Sequence, residues 1–304
     1  MKAGIPLIFF HKGDSFYLQY TFNQIIQSNP NSDIYLIGDE KNKHYEKFGI
    51  QHVDMTTCEK TAKEFEKIYV HLSSMNGFVE RICFQRWMYM RDFVLQAGIT
   101  GRFCCLDSDV LVYGDITEYH DKYCGDADVT LHGEYGPGCN VFKNVDVLTK
   151  LVDNTFRYYT DAECLQHLKD VRANEKNANG GSRNITDMYM IEMFVKDCGV
   201  TRYDLLQIRD NISFDSHIAK KSDTRFAMKG IYKDVSFEDK KAYCTDTKTG
   251  QPVMMMLLHI QGFHKNIAYR YYAGDPKKVM SVWKARYRFL YQILKRKMSA
   301  LLKR

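Results

Sequence analysis

The chain has 304 residues, 45% of them apolar and 26% charged. That is enough to bury a sizeable core in one large α/β domain or two small ones, and it excludes large-scale disorder. The formal net charge of +6 is unevenly spread, since residues 276–304 carry ten Lys and Arg and no Asp or Glu, leaving the rest of the chain at a net −4.

Residues 5–10 form a short apolar run without helical period and read as a buried strand. Ser15 is placed to cap a helix running to about residue 28, with Phe16, Tyr20, Asn23 and Gln27 about one turn apart, and Asn29-Pro30-Asn31 ends it. A second apolar strand covers residues 33–37 and closes at Gly38-Asp39, so the chain opens as a right-handed βαβ unit of a parallel sheet. A helix is expected over residues 79–96, with Ile82, Trp87, Met90, Phe93 and Val94 near one face and Gly98 just past its end. Residues 103–106 make a strand that runs into Asp107-Ser108-Asp109 and resumes over 110–112.

Further strands are expected at 127–131 and, after the Gly136-Pro137-Gly138 turn, at 139–142. Residues 146–168 read as helix, 174–184 as a polar loop, and Thr186 as the cap of a helix over 187–197. Residues 200–252 look irregular, with short strands at best, before a late apolar strand at 254–260 that delivers His259. Residues 281–302 close the chain as an amphipathic helix whose apolar face carries Trp283, Tyr287, Leu290, Leu294, Met298 and Leu301. The expected organisation is therefore a domain over residues 1–275 followed by a basic amphipathic helix over 276–304.

The nine cysteines include no C-x-x-C pair, which argues against a cysteine zinc site and for a reducing compartment. The first apolar run is too short for a signal peptide and is followed by Lys12 and Asp14. No segment approaches the roughly 18 to 20 apolar residues of a spanning helix. The expectation is a cytoplasmic protein, peripheral on the inner face of a membrane through its tail. An apolar helix face flanked by Lys and Arg suits an anionic membrane surface through residues 281–304, the competing reading being a helix packed on the body. No nucleic-acid motif accompanies these bases.

Two features carry chemistry. Asp107 and Asp109 follow an apolar strand, and sites in open α/β sheets gather beyond the carboxyl ends of strands. Their oxygens are hard ligands suited to Mg²⁺ or Mn²⁺, which share their shell with substrate phosphates. The second feature is His259-Ile260-Gln261-Gly262-Phe263-His264-Lys265. His259 can complete a metal site of oxygens, Gly262 lets backbone approach a phosphate, and Lys265 brings a mobile cation. Taken singly, each has a plain structural reading as a solvated acidic turn or a core histidine. Together they supply what a departing nucleoside diphosphate needs.

Residues 103–112, with Asp107-Ser108-Asp109 at their centre, resemble the D-x-D strand of GT-A-fold glycosyltransferases. His259, Gly262 and Lys265 are similar to the late H-x-x-G-x-x-K motif of the glycogenin-like and lipopolysaccharide sugar transferases. The resemblance covers residues 5–270 in layout, and its specific parts are these two motifs. It implies a GT-A-like (Rossmann-like) α/β fold, a mixed, mainly parallel sheet flanked by helices. It also implies Mn²⁺ (or Mg²⁺) on Asp107, Asp109 and His259, and a UDP-sugar donor whose diphosphate meets Gly262 and Lys265. Arg86, on the helix before the D-x-D strand, stands where related enzymes place a basic residue against the donor. Ser108 lies between the two acids. His11 and Asp39 follow the first two strands, where base and ribose would lie; each also reads as a plain loop residue, as Arg86 does as a surface arginine. The sequence departs from the family at Asn266-Ile267, where Pro-Trp is usual, and at Ile185-Thr186-Asp187-Met188, where the family has Asp-Gln-Asp. Asp187 carries over as the catalytic carboxylate, orienting the acceptor hydroxyl or acting as base, and the missing glutamine leaves retention and inversion both open. The acceptor class implied is a glycan or lipid-linked sugar. Two other readings compete: an aspartyl phosphatase or phosphotransferase with Asp107 as nucleophile, and a non-enzymatic, membrane-associated adaptor that kept a sugar-nucleotide fold.

Overall fold

A computed structural model of the chain describes residues 2–176, 180–219 and 223–301. Residues 177–179 of the expected polar loop, and the last residues of the basic tail from 302 onward, lie outside them.

The strands in chain order are β1 (Leu7–Phe10), β2 (Ile34–Gly38), β3 (Gln51–Asp54), β4 (Phe103–Leu106), β5 (Val110–Val112), β6 (Val129–Leu131), β7 (Cys139–Phe142) and β8 (Arg202–Asp204). They are followed by β9 (Ile212–Ser213), β10 (Met228–Lys229), β11 (Tyr232–Lys233), β12 (Val235–Glu238), β13 (Lys241–Thr245), β14 (Pro252–Met255) and β15 (Leu257–His259). The helices are α1 (Leu18–Ser28), α2 (Lys60–Ile68), α3 (Gly77–Gln96), α4 (Ile116–Tyr123), α5 (Val145–Thr160), α6 (Ala162–Asn174), α7 (Asp187–Asp197) and α8 (Val282–Leu301).

Seven strands form the main sheet in the order β3-β2-β1-β4-β7-β6-β8. All pairs are parallel except β4–β7 and β6–β7, which gives the expected mixed, mainly parallel sheet. Its strands alternate between two cores. Leu7, Phe9, Leu36, Cys104 and Leu106 face α1, β5 and β15, whereas Ile8, Phe10, Ile37, Phe103 and Cys105 face α3, α5 and α7. A sheet covered on both faces explains why β1 and β4 read as unbroken apolar runs. The chain runs outward from β1 through β2 to β3, then returns through α3 to β4 on β1's other side. That reversal opens a crevice at the carboxyl ends of β1 and β4, where His11 and Asp107 begin their loops.

Several local expectations need correction. Ser15 does not cap α1, whose N-cap position is Tyr17; the Ser15 hydroxyl instead lies 3.2 Å from His11 Nε2. Thr186 occupies the N-cap of α7 but makes no side-chain cap bond. The single helix expected over 146–168 is two. The chain turns extended at Asp161, whose carboxylate accepts from the Cys164 N–H and starts α6. The late strand expected at 254–260 divides at Met256. Its first part, β14, joins a four-stranded sheet ordered β12-β13-β14-β9, and its second part, β15, pairs with β5. This small sheet gives order to the stretch expected to be largely irregular. Behind it, the fully buried Lys233 ammonium is ion-paired with Asp215 and Asp223.

The terminal helix forms as expected, but its apolar stripe faces outward. Trp283 is 80% exposed and Tyr287 73%, with Leu290, Leu294 and Met298 also exposed. Packing runs instead through Ala285, which is fully buried, and Phe289, whose ring lies 5.7 Å from that of Phe263.

Candidate functional site

The pairing of β5 with β15 builds the site. The strands run antiparallel, with His259 opposite Val110, and the Ile260 N–H donates to the Asp109 carbonyl at 2.9 Å. This register sets the end of the late strand beside the D-x-D turn across 150 residues of sequence. His259 Nε2 lies 3.2 Å from Asp109 Oδ1 and 3.4 Å from Asp107 Oδ2. Among the described residues, Asp107, Asp109 and His259 are the one group of three such side chains able to share an ion, their donor atoms all within 4.8 Å of one another.

The donor set fits a divalent cation. Two carboxylates and one imidazole combine hard oxygens with a borderline nitrogen, which suits Mn²⁺ and admits Mg²⁺. The Gln261 side-chain amide nitrogen lies 3.1 Å from His259 Nδ1. That nitrogen donates to Nδ1; a turn of the carboxamide would instead bring its oxygen to accept an Nδ1–H, leaving the Nε2 lone pair for a metal. From below, the His259 N–H donates to Asp215 at 3.0 Å, which ties the histidine's backbone to the buried Lys233 pair.

Cations surround the acids. Lys265 Nζ lies 3.0 Å from Asp109 Oδ2. Arg86 forks between Asp107 and Asp187, pairing with the latter at 2.5 Å, and its guanidinium lies over the Trp87 ring. The Trp87 indole N–H also donates to Asp187, at 3.3 Å. The neighbours Arg81 and Arg91 pair elsewhere, with Glu66 and Asp92, so of these three arginines Arg86 serves the site. Burial pushes the Asp187 carboxyl up; Arg86 opposes that and Asp107 adds to it, for a net rise.

Without a metal, burial pulls the His259 imidazole down, but the Asp109 and Asp107 carboxylates more than offset it, so the net shift is upward. Asp109 moves the other way. Burial pushes it up, yet His259 and Lys265 hold it well below the usual carboxylate range. A cation binding at Nε2 must displace the proton that the raised imidazole retains. Mn²⁺ affinity is therefore expected to weaken from pH 8 to pH 6, by up to about tenfold per unit. Calorimetry in two buffers of different ionisation heat measures both the affinity and the proton released; an affinity flat across this range would contradict the assignment.

The remaining sequence candidates fall around this centre. His11 Nδ1 lies 2.9 Å from the Ser108 hydroxyl, so the β1 and β4 loops touch, and burial, with the Lys265 charge adding to it, lowers His11 to about 4. Asp39 is more distant, but its carboxylate accepts from the Gly13 N–H at 2.8 Å and so braces the loop carrying His11. Gly262 has φ +61°, a left-handed conformation that disfavours side chains, and a Cβ built there meets nothing within 4 Å, so the backbone is approachable. Gly138, in the turn before β7, closes against His132 and His259, and a Cβ there would lie 2.8 Å from His132 Cε1. Sequence reasoning missed Tyr17 and Gln261. The Tyr17 hydroxyl is 3.3 Å from that of Ser108, and its ring lies under Lys265. Gln261 stood inside the late motif, two residues from His259, close enough for its carboxamide to reach the imidazole.

No protein-family model matches the sequence, and no curated protein does. Solved structures of glycosyltransferases are similar to it. An active-site mutant of LgtC aligns at 15% identity with a TM-score of 0.49, over 88% of this chain and 94% of that one. Mouse xyloside xylosyltransferase 1 in its apo form aligns at 10% identity and a TM-score of 0.43, over 66% of this chain and 84% of that one. Apo GlyE of Streptococcus pneumoniae TIGR4 aligns at 16% identity and a TM-score of 0.38, over 66% of this chain; the match spans 45% of the GlyE chain.

Proposed function

We propose that the protein is a metal-dependent glycosyltransferase that moves a sugar from a nucleotide-sugar donor, a UDP-sugar, to a glycan or lipid-linked acceptor. The observation that supports this best is the convergence of Asp107, Asp109 and His259, with Lys265 against Asp109. Three would-be ligands beside a mobile ammonium form a site for a dianionic or trianionic diphosphate.

In this reading Asp107, Asp109 and His259 hold Mn²⁺ (or Mg²⁺), which when bound neutralises diphosphate charge and eases departure of the nucleotide. The chain's own groups do the rest. Lys265 moves from Asp109 to a phosphate oxygen, and the backbone after Gly262 approaches the same anion. Arg86 orients Asp107 from behind. Ser108, His11 and the loop braced by Asp39 border the nucleoside. Asp187, two bonds of the same Arg86 network away from Asp107, is the carboxylate beside the reacting sugar, where it orients the acceptor hydroxyl or takes its proton. The test is a thermal-shift panel of nucleotides with and without Mn²⁺. UDP with Mn²⁺ together should raise Tm by several degrees, as RT ln(1 + [L]/Kd) requires for a ligand bound to the native state. A panel with no nucleotide-dependent shift would overturn the reading.

The tail belongs to the same proposal. No helix of the described residues is long and apolar enough to cross a membrane, yet α8 turns Trp283, Tyr287, Leu290, Leu294 and Met298 to solvent beside a run of bases with no acid. An anionic bilayer surface satisfies both. Deleting residues 281–304 should release the protein from anionic vesicles in a sedimentation assay. Undiminished vesicle binding after the deletion would show that the tail is not the anchor.

A further inference from the structure

Pairing with β5 sets the register of His259 but does not hold the histidine's own peptide groups. Along an antiparallel pair, hydrogen-bonded and non-hydrogen-bonded positions alternate. On the β5 side the bond beside the site belongs to the next residue, Ile260, whose N–H donates to the Asp109 carbonyl at 2.9 Å. The peptide groups of His259 face the other edge, toward residues 215–218. There the Ile218 N–H donates to the His259 carbonyl at 2.9 Å. The His259 N–H goes to a side chain instead, the Asp215 carboxylate, at 3.0 Å from Oδ2. β9 ends at Ser213, whose carbonyl accepts from the Met256 N–H at 2.8 Å, and the Asp215 N–H still donates to the Leu257 carbonyl at 3.2 Å. One step further on, the carboxylate stands in for a partner strand's carbonyl.

That carboxylate is held in turn. Its Oδ1 accepts from the His217 N–H at 3.0 Å and from the Lys233 ammonium. Lys233 also donates to the His217 carbonyl at 3.1 Å, and its backbone N–H donates to the Ile218 carbonyl at 2.9 Å. The bonds close a circuit, from the His259 N–H through Asp215, Lys233 and Ile218 back to the His259 carbonyl. The side chains of Asp215 and Lys233 are fully buried, so turning either away would leave a polar group unpaired in the interior.

We propose that Asp215 is a positioning residue for the His259 imidazole, held in that role by Lys233. It fixes the peptide from which the imidazole projects, and with it the approach of Nε2 to Asp109 at 3.2 Å and to Asp107 at 3.4 Å. A metal ligand must stand within about 0.2 Å of its bonding distance, so a small turn of this peptide would be felt at the ion. The grip on the backbone stands on the geometry alone. Its consequence for the metal rests on the proposed function above.

The test neutralises the buried pair as a unit in the full chain, so that neither charge is stranded. Lys233→Met with Asp215→Asn keeps an oxygen able to accept the His259 N–H, whereas Lys233→Met with Asp215→Leu has a similar shape and no acceptor. Asp223, the other partner of Lys233, keeps Arg225 at 2.8 Å in both. Asp215→Val takes the place of Asp215→Leu if the latter does not fold. In the metal-free proteins the His259 amide, followed by NMR, should exchange at least about tenfold faster in the leucine variant than in the asparagine variant. Calorimetric Mn²⁺ affinity should fall by about tenfold or more in the leucine variant and stay within about threefold of wild type in the asparagine variant. A role confined to packing would move both variants alike. Equal Mn²⁺ affinity in the two, or a loss in the asparagine variant as large as in the leucine variant, would overturn the proposal. A wild-type protein that binds no Mn²⁺ would count against the metal site itself; the exchange comparison then decides the role of Asp215, and equal exchange in the two variants would overturn it.

Discussion

Asp109→Ala is expected to lower Mn²⁺ affinity by at least about a hundredfold, beyond the loss typical of an outer-shell change, and to abolish the joint stabilisation by UDP and Mn²⁺. The fold should survive. Asp109 is 8% exposed, so its removal leaves two former partners to be accommodated. Lys265 is about one-third exposed and can turn its ammonium to solvent. His259 keeps its protein environment but loses the main charge that raised it, and burial then favours the neutral ring. Neither group is left as an unpaired buried charge, so Tm should fall by only a few degrees. Calorimetric titration of Mn²⁺ with and without UDP is the check. Wild-type affinity in this variant would count heavily against a metal held by these residues.

Arg86→Met should be the most destabilising single change near the site. Arg86 is largely buried and is the cation that Asp107 and Asp187 share. Removing one partner of a buried ion pair costs roughly 3–5 kcal/mol, because the remaining charges stay in the interior. The loss should depend on pH in a defined sense. Asp187 is already raised by burial, and without Arg86 it rises further. A group with a raised folded-state pKa favours the native state at low pH and loses that contribution as pH climbs through the raised value. The variant should thus be closer to wild type at pH 5 than at pH 8 in urea melts. Adding Asp187→Asn to Arg86→Met should recover much of the stability at pH 8 without restoring turnover. Arg86→Lys should recover little, since one ammonium cannot reproduce the guanidinium fork between two carboxylates. Wild-type stability of Arg86→Met at pH 8 would show that the fork is not what holds these acids.

The parts legible in the sequence were those written in short range. β4 and β5 read as apolar runs on either side of Asp107-Ser108-Asp109, and β15 as an apolar run ending at His259, because a sheet buried on both faces leaves no alternation to decode. Helix α3 was plain from its periodicity, and Gly98 marks its end with the left-handed φ of +64° that a helix stop favours. The elements that stayed hidden depend on partners far along the chain. Strands of two to five residues between β9 and β14 gain their order from pairing with one another, which no window of sequence displays. Ser15 and Thr186 have the right chemistry for caps, yet the first turns to His11 and the second makes no side-chain cap bond. In the site, His259 and the two acids could be guessed together from motif spacing. The antiparallel register that joins them, and the arginine fork that ties Asp187 to the same centre, follow from tertiary pairing alone.

The central claim is that one divalent ion sits among Asp107, Asp109 and His259. Anomalous diffraction at the manganese edge, from crystals of the wild-type protein grown with Mn²⁺ and UDP, tests it most directly. A single strong peak within bonding distance, about 2.0–2.3 Å, of both carboxylates, the imidazole Nε2 and the UDP phosphates is the predicted result. A bound nucleotide with no peak there, or a peak that ignores His259, would contradict the account.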